Sequence, residues 1–177
     1  MSRFLAFLPI LFLSAANVFA QTTNAPLFIG RVAVNQTHVA FNYAGKIWLV
    51  ERSGGAAKRL SDAGAETNPV FSPDGKQIAF SRFNGGDFDI YVSAATGGEA
   101  KRLTFQGEDD FAVAWTPDGQ SVVFESTRDE EGVTRLHKVR ADGSGALAEA
   151  LPLPQAFQGS FSPDGKQIAY NPRAGFG

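Results

Sequence analysis

Two histidines, three acidic clusters and two Lys-Arg pairs are the side chains in this sequence that could do chemistry. Acyl transfer by a serine needs an imidazole within hydrogen-bond reach of the hydroxyl. His38 lies in or beside a turn, His137 lies in the run Arg135-Leu136-His137-Lys138-Val139, and no Gly-x-Ser-x-Gly elbow surrounds a serine. Both imidazoles read as surface or packing groups, and no catalytic residue is assigned. Asp87/Asp89, Glu108-Asp109-Asp110 and Asp129-Glu130-Glu131 carry oxygens that a hard cation would take, but none has EF-hand spacing. They read as solvated loop ends, so no metal or other cofactor is expected. Lys58-Arg59 and Lys101-Arg102 recur 43 residues apart in matching phrases. On one rim they would offer peptide carboxylates a weak basic ring; the plainer reading is charged outer strands that deter edge-to-edge association. Cysteine is absent, which removes disulfides, thiolate metal sites and thiol nucleophiles.

The elements that position these side chains come from a repeat. Val70-Phe71-Ser72-Pro73-Asp74-Gly75-Lys76-Gln77-Ile78-Ala79-Phe80 returns with its proline at Pro117 and again at Pro163, 44 and then 46 residues on. Serine, proline and glycine at these spacings suit a type I turn followed by a left-handed glycine, the geometry of a bulged hairpin loop. Asp74, Asp118 and Asp164 are therefore assigned to backbone hydrogen bonding within turns. Gly54-Gly55 and Gly97-Gly98 mark a second turn in each repeat. In the best-preserved repeat the first strand ends at Phe71, the second is Gln77–Ser81, the third is Asp89–Ser93 and the fourth lies around Arg102–Phe105. Ile78-Ala79-Phe80 and Ile90-Tyr91-Val92 are apolar without alternation, so both faces of the sheet must be buried. Four short strands per 40 to 45 residues, stacked face to face, is the period of a β-propeller blade. The fold class is all-β: blades of four antiparallel strands, about three and a half of them.

Along the chain, Arg3, the apolar run Phe4 to Ala16 and Val18-Phe19-Ala20 read as an export signal, residues 1–20, cut near Ala20-Gln21. The run of 13 residues falls short of the roughly 20 that span a bilayer, so no stable membrane span is expected and the protein reads as periplasmic or secreted, with an uncleaved anchor as the alternative. Residues 21–27 are a polar lead and 28–177 a partial propeller, with blades at about 28–65, 66–108, 109–154 and an incomplete 155–177. Val34-Asn35-Gln36-Thr37-His38 replaces the usual turn in the first. A ring of three and a half blades does not close, so a segment of a longer protein is expected; a self-associating half-propeller is the alternative. A net charge of −2 and a pI near 5.7 give no basic face for nucleic acid.

These phrases resemble the WD-like repeats shared by TolB and Tricorn protease propellers. Lys46-Ile47-Trp48-Leu49-Val50 and the junction Glu149-Ala150-Leu151-Pro152-Leu153-Pro154 ahead of Gly159-Ser160-Phe161 resemble the Tricorn family more closely. That resemblance implies a serine peptidase with two propellers, a PDZ-like module and a C-terminal catalytic domain; the export signal is a departure from it and would make this protein an exported relative. Its catalytic residues would lie beyond residue 177, and its propellers would gate or filter peptides and scaffold the domains. Peptides or protein substrates and the downstream domains of the same chain are then the partners. A TolB-like periplasmic propeller that binds proteins, and a propeller fused to an amidohydrolase, are the competing readings.

Overall fold

The computed structural model describes residues 30–129, 133–145 and 147–172. The export segment, the polar lead and Glu130-Glu131 lie outside them. Four antiparallel sheets follow one another along the chain. The first holds β1 (Val32–Val34), β2 (His38–Tyr43), β3 (Lys46–Glu51) and β4 (Lys58–Arg59). The second holds β5 (Glu66–Phe71), β6 (Gln77–Phe83), β7 (Phe88–Ala94) and β8 (Lys101–Arg102). The third holds β9 (Asp110–Trp115), β10 (Ser121–Ser126), β11 (Arg135–Arg140) and β12 (Glu149–Ala150), and the fourth β13 (Ala156–Phe161) and β14 (Ile168–Pro172). Each four-stranded sheet is a meander in chain order. The first strands β1, β5, β9 and β13 contact their successors, so the sheets converge on one axis and the fourth strands lie at the perimeter. This is an open β-propeller.

The lack of alternation has a direct cause. In β6, Ile78 and Phe80 enter a core with Ala40, Ile47, Leu49 and Leu60 of the first blade. Ala79, between them, faces the third blade and packs with Ile90, Val92, Leu103, Trp115, Val122 and Phe124. A third core joins Val123 and Leu136 to Ala156, with Leu151, Leu153, Phe161 and Ile168 against it. Every interior blade thus has two apolar faces, each of which only a neighbour can cover.

The repeated turn is built as its residue types dictate. Gly75 N–H donates to Ser72 O at 2.8 Å and Gly75 stands at φ 71°. Gln77 N–H donates to Ser72 Oγ at 2.9 Å, while Ser72 Oγ and Lys76 N–H both donate to Asp74 Oδ1, at 2.6 and 3.0 Å. The same bonds recur around Thr116-Asp118 and Ser162-Asp164. In the first blade Asn35 Oδ1 takes over by accepting from Thr37 N–H and His38 N–H. The turns also touch one another. A Cβ at Gly165 would lie 2.7 Å from Pro117 Cβ, and one at Gly119 would lie 3.7 Å from Pro73 Cδ. Asn35 fills the proline's place against Gly75, donating to its carbonyl at 3.4 Å.

The fourth strand of the second blade is shorter than the expected Arg102–Phe105. It stops at Arg102 because Thr104 presents its hydroxyl, not its backbone, to Ile90 N–H at 2.9 Å. Leu103 turns into the core and Phe105 is left 70% exposed.

The turn aspartates carry a pH signature. The hydroxyl of Ser72, then the Lys76 N–H, hold the Asp74 carboxyl below its ordinary value; Thr116 and Gln120 N–H do this for Asp118, and Ser162 and Lys166 N–H for Asp164. Depressed acids stabilise the fold above their unfolded value of 3.8, and that contribution is lost as pH falls through the lower folded value. NMR titration of the side-chain carboxyls should place all three midpoints below 3.8. Ser72→Ala should return Asp74 alone toward the ordinary value; an unmoved Asp74 midpoint would refute the hydroxyl's role.

Candidate functional site

The axial strands are irregular where they pass the centre. Register shifts interrupt β5 between Thr67 and Val70, β9 opposite Val123 and Phe124, and β13 between Phe157 and Gly159. Each shift adds a residue that the partner strand does not oppose, which bends the strand and re-aims a side chain. Asn68 and Gln158 stand at φ 52° and 55° there, a left-handed conformation uncommon outside glycine. Pro69, which has no N–H to give a ladder, occupies the second bulge position in β5.

The bulges open an axial cavity of about 400 Å³ to which all four blades contribute, through Arg31, Asn68, Val113 and Gln158 with Tyr170 and Asn171. Its polar groups are partly spoken for. Asn68 Nδ2 donates to Ala112 O at 3.2 Å, and Asn171 Nδ2 donates to Gln158 Oε1 at 2.8 Å. The Gln158 N–H donates to Glu125 Oε2 at 3.3 Å. Arg31 is exposed and forms no ion pair among the described residues. Amides, a phenol and a guanidinium, with the Ser160 and Glu125 side chains beside them, suit hydrogen bonding to an extended backbone. At the turn end of the axis a second hollow of about 370 Å³ is walled by Val34, Phe71 and Phe161 and by Pro73, Pro117 and Pro163, with Ser160 and Ser162 among them.

The four cations singled out by the repeat sit at the perimeter, on β4 and β8. Register with the third strand makes Lys58 the counterpart of Lys101 and Arg59 the counterpart of Arg102; in the third blade these places hold Glu149 and Ala150. Arg59 pairs with Asp62 at 2.8 Å and lies over Trp48. Arg102 pairs with Asp89 at 2.5 Å and lies over Phe105. Lys101 Nζ donates to Asp142 O of the next blade at 2.5 Å. Lys58 has no ion-pair partner among the described residues.

His38 is half-buried beside its turn, 2.8 Å from Thr37 Oγ1. His137 is buried and stacks on Phe124 with centroids 5.6 Å apart, where the second blade stacks Tyr91 on Phe80. Glu108 and Asp109 are exposed, but one residue in each of two acidic clusters departs from the solvated reading. Asp89 and Asp110 are fully buried, paired with Arg102 and Arg128 at 2.5 and 2.6 Å. Burial pushes the Asp89 carboxyl up, against the downward pull of Asn84, Arg102 and Thr104. Among the described residues no three histidine or carboxylate groups are arranged to hold a metal.

Sequence reading missed the seam between blades. Glu66, at the start of β5, accepts from Arg82 Nη2 at 2.9 Å and Nε at 3.1 Å, from Ser61 Oγ, and from Ile47 N–H of the first blade at 3.3 Å. The Arg82 guanidinium lies 5.1 and 4.6 Å from the Phe80 and Tyr91 centroids. At the next seam Arg128 lies 4.8 Å over Phe124 and reaches Asp110, the counterpart of Glu66 one methylene shorter. Asp110 Oδ1 is left without a partner.

Stacked meanders about an axis, with a hydrogen-bonding cavity at their centre, define a β-propeller module. The chain belongs to the family described as the Tricorn protease N-terminal beta propeller domain, which matches residues 26–175. Tricorn protease homolog 1 of Streptomyces coelicolor is 34% identical over 117 residues, 65% of this chain and 10% of that protein. The crystal structure of TolB from Acinetobacter baumannii superposes with a TM-score of 0.73 at 24% identity, over 85% of this chain and 39% of that one. The crystal structure of the tricorn protease gives 0.67 at 23% identity, over 80% and 15%. At those identities the two structures show the fold alone. The chain spans between 10% and 33% of the length of the curated relatives it matches.

Removing one partner of a buried ion pair costs about 3–5 kcal/mol, because the other charge is stranded. Glu66→Leu should lose stability in that range by urea unfolding, and Glu66→Leu with Arg82→Met should recover most of it. A double variant as unstable as the single would show that the seam is not set by this pair.

Proposed function

We propose that this chain is a non-catalytic propeller segment of an exported Tricorn-like serine peptidase, which filters peptides along its axis and scaffolds the neighbouring domains. The observation that carries this reading is the axial cavity. Four blades each commit a residue to it, and two of them do so at left-handed backbone positions, a strain that persists where something needs the side chain so placed. Its donors and acceptors match the repeating groups of a peptide main chain, which a filter must hold without regard to side chains.

Labelled peptides titrated against the full chain test the axis and the perimeter together. Arg31→Ala with Gln158→Ala should weaken binding about tenfold, equivalent to about 1.4 kcal/mol. Charge reversal at Lys58, Arg59, Lys101 and Arg102 tests the rim as the contact. Binding lost only on that reversal would move the site to the perimeter; binding indifferent to both sets would reject a peptide filter. Export is tested separately: N-terminal sequencing of the protein recovered outside the cytoplasm should begin at Gln21, and a chain starting at Met1 would refute cleavage.

A second reading is a TolB-like periplasmic module that holds a folded protein partner, for which the hollow at the turn end of the axis is the candidate seat. A partner seated over the hollow by Val34 and Phe161 would satisfy it.

A further inference from the structure

Five residue pairs in the described chain could close a five-membered imide ring by attack of a glycine nitrogen on the preceding side chain: Asp74-Gly75, Asn84-Gly85, Asp118-Gly119, Asp142-Gly143 and Asp164-Gly165. The structure treats them differently. In the four Asp-Gly pairs the glycine N–H is engaged in its turn, donating to Ser72 O, Thr116 O, Arg140 O and Ser162 O at 2.8 to 3.1 Å. Their carboxyls are also held below the ordinary value by neighbouring hydroxyls, N–H groups or, at Asp142, by Arg140. An ionised carboxylate is a poor electrophile, and a bonded N–H is a poor nucleophile.

Asn84-Gly85 has neither protection. Its side chain is a neutral amide. Gly85 N–H makes no hydrogen bond among the described residues, Gly85 is exposed at φ 110°, and no atom lies within 4 Å of where a Cβ would stand. Asn84 Oδ1 accepts from Gly86 N–H at 2.9 Å and from Asp87 N–H at 3.3 Å, two donors that draw charge from Cγ as an oxyanion hole does.

We propose that Asn84 is a site of spontaneous deamidation built into the β6–β7 hairpin of the folded protein. Gly85 nitrogen loses its proton to solvent and bonds to Asn84 Cγ. The Cγ–Nδ2 bond breaks and the nitrogen leaves as ammonia, taking up one proton from water. Water then opens the imide at either carbonyl, giving aspartate or isoaspartate. The change reaches the blade. The Asn84 Nδ2 group donates to Asp87 Oδ1 at 2.5 Å and to Asp89 Oδ2. Deamidation replaces that donor with a third carboxylate, which repels both acids. Asp89 is the buried group that anchors Arg102 and Thr104 at the blade's outer strand.

The test is to hold the folded full chain in mildly alkaline buffer and map its peptides over time by mass, with isoaspartate detected by enzymatic methyl labelling. The Asn84 peptide should convert about tenfold faster or more than any Asp-Gly peptide, and the aged protein should melt at a lower temperature, as should Asn84→Asp. In urea the Asp-Gly pairs should lose their protection and the ratio should shrink. Asn84→Gln should abolish the modification while keeping the amide. An Asn84 peptide that stays intact in the folded chain, or that converts no faster than the four Asp-Gly peptides, would overturn the proposal.

Discussion

A sheet that is apolar on both faces cannot hide its own surface. Everything else in this molecule answers that constraint. Alternate side chains of β6 serve two different cores, Ile78 and Phe80 on one side and Ala79 on the other, so each core belongs to a pair of blades and to neither alone. Chain order then dictates geometry: short meanders stack in sequence, their first strands crowd together, and an axis with a hollow at its centre is the result. The Glu66–Arg82 and Asp110–Arg128 pairs sit at the edges of these cores, where a guanidinium can lie on an aromatic face and still reach a carboxylate.

The blades were legible in the sequence because their signals are local. Ser72-Pro73-Asp74-Gly75 dictates its own hydrogen bonds, and its recurrence at Pro117 and Pro163 announces the repeat. The seam was not legible, because its partners do not keep the repeat's register. Arg82 precedes the aligned position of Arg128 by two residues, yet both guanidinia reach the same place over Phe80 and Phe124. Only the fold reveals that Ser126 has yielded its role to Arg128. The axial bulges are equally silent, since one extra residue in β5 or β13 changes neither composition nor turn spacing. Lys58-Arg59 and Lys101-Arg102 stood out for the opposite reason. Their repetition is conspicuous, but the arginines it marks are anchored on Asp62 and Asp89.

The two ends of the axis differ in character. Near the bulges it presents amides, Tyr170 and Arg31; near the turns it presents prolines and Phe71 and Phe161. A ligand threading such a path would meet groups that hold a backbone at one end and groups that hold side chains at the other. That polarity follows from the bulge positions, because β5, β9 and β13 are each interrupted near one hollow and run on to their turns at the other.

The proline of one turn fits the glycine of the next, at Pro73 with Gly119 and Pro117 with Gly165. Knob and socket are carried on the same four-residue phrase, so every copy bears both halves of a head-to-tail joint. Such a joint is heterologous and propagates until it closes into a ring. A gene segment duplicated whole brings its own fitting to the new neighbour, and the number of blades can grow without any redesign of the contact between them.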